Sequence, residues 1–104
     1  MNRVEHLLVC IMEECAELQQ AASKALRFGL DGCRRDFMSQ TNADDICKEY
    51  ADLQAVLQML EKEVPDQIDL LMFDSSIGAR KTEVESYFVI SRNCGTLDST
   101  LKVN

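Results

Sequence analysis

The chain has no tryptophan, one proline, one histidine and four glycines in 104 residues. With Pro65 the only proline and glycines confined to 29, 32, 78 and 95, long stretches hold nothing that breaks a helix. A lone His6 excludes any metal site that needs a histidine pair, and it is expected at the surface. The five cysteines (Cys10, Cys15, Cys33, Cys47 and Cys94) are odd in number and form no CxxC pair, which argues against a disulfide framework or a zinc knuckle. Reduced thiols in a cytoplasmic protein are the expectation, several of them packed as small apolar residues. There is no excess of positive charge either. The formal net charge is -7, and a general nucleic-acid surface needs a basic patch to displace phosphate counterions. A nucleotide substrate stays open, because a divalent cation can bridge acidic side chains to phosphates. The apolar run Leu7 to Met12, flanked by Glu5 and Glu13, is too short for a signal peptide, and no stretch has the length of a membrane span.

What remains is a chain with 46% hydrophobic and 28% charged residues, ordinary for a soluble globular protein. Its length predicts one all-α domain over residues 1–94, followed by a loose tail over 95–104. A domain of this size buries a thin core, so long helices need a partner chain to cover their apolar faces. The first helix is expected over Asn2 to Phe28, with Val4, Leu7, Leu8, Ile11, Cys15, Leu18, Ala22, Ala25 and Leu26 at helical spacing and Gly29 as its stop. A polar connection, Leu30 to Gln40, docks through Phe37 and Met38 by a short helical turn. The second helix starts at Thr41 or Asn42, either of which caps it, with Asp44 and Asp45 at the positive end of the dipole. Its stripe is Ile46, Tyr50, Leu53, Val56, Leu57 and Leu60, and Pro65 marks its end or a kink near it. A third helical region runs from Asp66 to Asn93, broken near Ser75, Ser76 and Gly78, with Gly95 at the closing cap. No repeat and no strand pair is read.

The segments that carry chemistry are Glu13-Glu14-Cys15-Ala16-Glu17 and Glu49-Tyr50-Ala51-Asp52. Residues three or four apart share a helix face, which pairs Glu14 with Glu17, Glu13 with Glu17, and Glu49 with Asp52. Glu49 falls within the apolar stripe between Ile46, Leu53 and Val56, where a carboxylate is costly unless paired or metal-bound. Asp52 and Glu14 border the stripes of their own helices, so packing the two stripes together draws four carboxylates towards one point. Taken alone, an ExxE is more often a solvated face or a salt-bridge partner, with Glu17 and Lys24 as a candidate pair. The combination with ExxD on the next helix, and one acid on an apolar stripe, is harder to assign to the surface. Oxygen-only ligands suit Mg²⁺ or Mn²⁺ rather than zinc or copper.

This EExxE–ExxD pair on adjacent helices resembles the MazG-like all-α nucleoside triphosphate pyrophosphohydrolases. The runs from Leu8 to Gly29, Lys48 to Leu60 and Lys81 to Leu97 are similar to small phage and bacterial members. The resemblance implies a helical bundle completed by dimerisation into a four-helix arrangement, as a homodimer or a dimer of dimers. It implies metal-dependent hydrolysis of a nucleoside triphosphate between the α and β phosphates, giving the monophosphate and pyrophosphate. Glu14, Glu17, Glu49 and Asp52 would be the Mg²⁺ ligands, with Mn²⁺ as the alternative ion. Glu13 would orient or deprotonate the attacking water. Lys24, Arg27, Lys48 and Lys81 are the basic residues to meet the phosphates, Lys24 first, with Arg80 and Arg92 behind them. The alternatives are a non-catalytic nucleotide-binding module on the same scaffold and a purely structural helical dimer whose acids are salt-bridged. No nucleic acid and no membrane is expected as a partner.

Overall fold

The computed structural model describes residues 1–34 and 37–98, and side chains except those of 33–39. It is mainly helical. The elements are α1 (Arg3–Phe28), β1 (Cys33–Arg34), β2 (Phe37–Thr41), α2 (Asn42–Glu63), α3 (Leu70–Asp74) and α4 (Ile77–Asn93). Contacts divide the chain into two compact units, Met1–Ile68 and Asp69–Asn104, where the sequence pattern suggests one domain over 1–94.

The first unit is an antiparallel hairpin of α1 and α2. Each helix starts on a local signal. Asn2 accepts a hydrogen bond from the Glu5 amide, and the Glu5 carboxylate accepts one from the Asn2 amide. Thr41 and Asp44 repeat this reciprocal cap at α2, so Thr41 is the cap of the two candidates. The helix α1 ends at Gly29, whose φ of 89° lies in the region that side chains disfavour. Three hydrogen bonds then tie the turn to the start of α2: Asn42 N to Gly32 O at 2.8 Å, Ala43 N to Leu30 O at 3.0 Å, and Asn42 Nδ2 to Gly29 O at 2.9 Å. Gly32 is needed there, because a Cβ would sit 2.6 Å from the Phe28 carbonyl oxygen and 2.9 Å from Asn42 Nδ2.

The connection also holds a short antiparallel ribbon, with Cys33 opposite Thr41 and Arg34 opposite Phe37. This corrects the expectation of a helical turn and no strand pair. Cys33–Arg34 is only two residues long, too short to show the alternation by which strands are recognised. The proposed docking of Phe37 and Met38 lies outside the described side chains.

Along α1 the buried and half-buried positions are Val4, Leu7, Val9, Cys10, Ile11, Glu14, Leu18, Ala21 and Ala25, and apart from Val9 and Cys10 they fall alternately three and four residues apart. That is the narrow seam by which two helices pack side by side. The stripe predicted from sequence was wider. Leu8, Cys15, Ala22 and Leu26 fall on the next face round and are exposed, Leu26 at 88%. Tyr50 is likewise turned outward on α2. Among the described residues the buried apolar ones are Leu7, Ala21, Ala25 and Leu60, and no described side chain is fully sealed from solvent, in keeping with a thin core.

The second unit contains α3 and α4. Asp69 caps α3 through the Met72 amide. The break between the helices falls at Ser75 and Ser76, whose hydroxyls donate to the carbonyls of Met72 and Phe73. At the end of α4 Gly95 adopts φ 82°, and the amides of Thr96 and Leu97 donate to the Ser91 carbonyl. The first residues of the predicted loose tail, 95–97, are therefore folded back over the last turn of the helix, and residues 99–104 lie outside the described set. Neither α3 nor α4 has a buried residue.

Candidate metal centre

The register of the hairpin decides which side chains meet. At its open end Arg3 on α1 forms an ion pair with Glu63 on α2. In an antiparallel pair, equal steps inward along both helices reach the same level. Eleven residues inward lie Glu14 and Asp52, three further Glu17 and Glu49, and four further Ala21 and Asp45. The two acidic motifs thus face each other because their separations from the terminal ion pair are equal. One carboxylate oxygen from each of Glu14, Glu17, Glu49 and Asp52 lies within 4.8 Å of every other.

Three of these acids occupy half-buried positions, while Glu17 is exposed. Glu14 and Glu49 take seam positions where the neighbouring layers hold Leu7, Ile11, Leu18 and Val56. Their Oε2 atoms are buried and have no hydrogen-bond partner. A buried carboxylate oxygen without a partner carries its full desolvation cost, and a cation removes it. The donor set is all oxygen, which fits a hard divalent ion. Donors of one Mg²⁺ lie about 3.0 Å apart when adjacent and about 4.2 Å apart when opposite. An all-oxygen set gathered within 4.8 Å suits such an ion, and the four oxygens would draw closer to share it.

Beside the four acids the seam opens into a polar cleft of about 150 Å³, lined by Glu17, Gln20, Ala21, Lys24, Asp45 and Glu49. The opening has a local cause, because the seam residue level with Asp45 is Ala21, whose methyl leaves the space unfilled. Asp45 itself is buried, and its Oδ1 accepts a hydrogen bond from Gln40 Nε2 at 2.5 Å.

The sequence-predicted site residues separate into three groups. Glu14, Glu17, Glu49 and Asp52 converge as expected. Lys24 lines the adjoining cleft. Glu13 stands exposed one turn before Glu17, outside the group of four. Lys48 is engaged by the acids, with Nζ 3.0 Å from Asp52 Oδ2 and 3.6 Å from Glu49 Oε1. The hydrogen bond and charge of Asp52, followed by the charge of Glu49, raise its pKa above the ordinary lysine value. Arg27 is not among the cleft residues, and its guanidinium lies 5.0 Å above the Phe28 ring. Lys81 belongs to the second unit, where it lines a shallow apolar groove with Ile77, Arg80, Val84 and Phe88. Arg80 there forms an ion pair with Glu83 at 3.2 Å. His6 is exposed. Asp45, Gln20 and Gln40 were not anticipated. Asp45 precedes Glu49 by one helical turn and shares its face, a signal masked by the usual place of aspartate in the first turn of a helix.

Comparison of the chain with protein-family models, with curated proteins and with solved structures gave no match. No helix among the described residues is long and apolar enough to cross a membrane.

Proposed function

We propose that the protein is a divalent-metal-dependent nucleoside triphosphate pyrophosphohydrolase that cleaves between the α and β phosphates and releases the monophosphate and pyrophosphate. The observation that carries this reading is the convergence of Glu14, Glu17, Glu49 and Asp52 beside a cleft that holds a lysine. Four acids alone describe a cation site. Four acids next to a cleft with Lys24 describe a site for a ligand whose own charge is negative and which the cation helps to hold.

In this reading Glu14, Glu17, Glu49 and Asp52 hold Mg²⁺, or Mn²⁺ in its place. A bound divalent ion supplies charge neutralisation to the polyphosphate and acidifies water in its coordination sphere. Lys24 donates to a phosphate oxygen at the far side of the cleft. Seven residues separate it from Glu17, roughly 10 Å along the helix, and its side chain leans back towards the N-terminus and so towards the acids. That span suits a polyphosphate stretched from the carboxylates to the ammonium. Glu13 is exposed and adjacent to Glu17, free to orient an attacking water and accept its proton. Two or more copies of the chain form the working unit. Leu8, Met12 and Leu26 on α1, and Leu71, Phe73, Val84, Phe88 and Ile90 in the second unit, are exposed apolar surface that a second copy covers.

The deciding experiment is release of pyrophosphate from a panel of NTPs and dNTPs with Mg²⁺, with Mn²⁺ and with chelator. Metal-dependent pyrophosphate with the monophosphate as co-product is expected. Metal binding by the folded protein without turnover of any nucleotide would replace this reading with a nucleotide-binding module.

A further inference from the structure

We propose that Lys48 is the counter-ion of the carboxylate cluster in its metal-free state, and that a divalent cation must displace its ammonium to enter. The inference rests on the reading of the four acids as a cation site and adds a competitor for that site within the same helix. Lys48 Nζ bridges two of the four acids, Asp52 Oδ2 at 3.0 Å and Glu49 Oε1 at 3.6 Å. Both belong to α2, so the lysine draws together the half of the cluster carried by its own helix.

Three features make this contact displaceable rather than permanent. The Lys48 side chain is 60% exposed, so the ammonium reaches the acids from the rim on a flexible stem and is not packed in place. The pair with Asp52 is an i,i+4 pair with the lysine on the N-terminal side, the weaker of the two orders on a helix. Lastly, Lys48 leaves the cluster incomplete, because Glu14 Oε2 and Glu49 Oε2 stay buried without a partner. An ammonium offers three donors from one side, whereas a divalent ion accepts oxygens from all sides and carries twice the charge. The cation therefore gains contacts that the lysine never makes, against the loss of one exposed pair.

The test is a titration of Mn²⁺, without nucleotide, into the native protein, Lys48→Met and Lys48→Arg, read by isothermal calorimetry and by the spin-resonance signal of free Mn²⁺. Removing the competitor is expected to tighten Mn²⁺ binding in Lys48→Met by about two- to fivefold, the range that an exposed ion pair covers. Lys48→Arg, which keeps the charge, is expected to stay near native. A lysine that instead holds the acids in the shape that binds the ion predicts the opposite sign, with weaker binding once it is lost. Equal or weaker Mn²⁺ affinity in Lys48→Met, with the native protein binding Mn²⁺, overturns the proposal and leaves the metal site standing. Absence of Mn²⁺ binding in all three proteins overturns the cation site and the proposal together. Lys48→Gln serves as a second neutral variant if the methionine perturbs folding.

Discussion

Replacing Glu49 with glutamine should move stability in opposite directions with and without metal. The Glu49 side chain is 15% exposed, and its ligand oxygen lies within 4.8 Å of those of Glu14, Glu17 and Asp52. Two like charges at that distance repel by about 3 kcal/mol at the effective dielectric of a protein surface and about 1 kcal/mol in water. Lys48, 3.6 Å away, offsets part of this. Neutralising Glu49 in the metal-free protein should therefore relieve on the order of 1–3 kcal/mol. In a chain of this size each kcal/mol corresponds to about 4–8 °C in Tm. With chelator, Glu49→Gln should melt several degrees above native. With Mg²⁺ at a hundredfold excess over its Kd, the native protein gains about 2.7 kcal/mol, and the variant, short of one anionic ligand, loses most of that gain. Turnover should vanish while far-ultraviolet circular dichroism stays unchanged. The assay is thermal melting of both proteins in chelator and across a Mg²⁺ series. A variant that melts below native in chelator, and that gains as much from Mg²⁺ as native does, would show that these acids neither crowd one another nor bind the ion.

Lys24→Ala should raise KM for the nucleotide about tenfold or more, the worth of a hydrogen bond to a charged phosphate, with Mn²⁺ affinity unchanged in a direct titration. Glu13→Gln should lower kcat by about 10²–10⁴ in steady-state assays and leave metal binding intact, because Glu13 lies outside the group of four. Thr41→Ala should cost about 1 kcal/mol in denaturant unfolding through loss of the α2 cap. The Asp44 half of that cap should be acid-sensitive. Hydrogen bonding to the Thr41 amide, then to its hydroxyl, lowers the Asp44 pKa, so its contribution is present above the ordinary value of 3.8 and is lost as pH falls through the depressed one. The gap in Tm between native and Asp44→Ala should accordingly close on acidification. Light scattering should report a dimer or larger; a stable monomer would remove the covering role given to the exposed apolar faces.

The features legible in the sequence are those whose causes are local. A cap at Thr41 or Asn42, the stop at Gly29, the end before Pro65 and the break at Ser75–Ser76 each depend on a few adjacent residues, as does the Asn2–Glu5 box that the apolar pattern passed over. Glu49 was legible for a different reason: an acid in an apolar stripe is an anomaly that periodicity alone exposes. The features that escaped depend on the partner element. Cys15 and Leu26 look like core residues on a helix read by itself, since they border the seam by one position. Only the second helix determines which neighbouring face is inside. Asp45 was missed because its burial depends on Ala21 across the seam and on Gln40 before the helix, neither of which its own helix specifies. The ribbon at Cys33–Thr41 carries no sequence period at all.

In the proposed reading the same seam would couple site and stability. A hairpin of two helices is held by the layers between them, and here the middle layers at Glu14, Glu49 and Asp52 are acids. Each takes the place of an apolar side chain whose full burial contributes about 1.5–3 kcal/mol. The most buried apolar residues lie to either side, Leu7 and Leu60 towards one end and Ala21 and Ala25 towards the other. The two alanines contribute little area, and the cleft beside the acids exists because Ala21 is small. A sequence selected for packing alone would have filled these positions with leucine, giving a tighter hairpin with neither carboxylates nor cleft. The arrangement is stable in proportion to whatever neutralises the middle layer. Lys48 does so weakly from the rim, and a divalent ion would do so from the centre, where Glu14 Oε2 and Glu49 Oε2 are buried without partners.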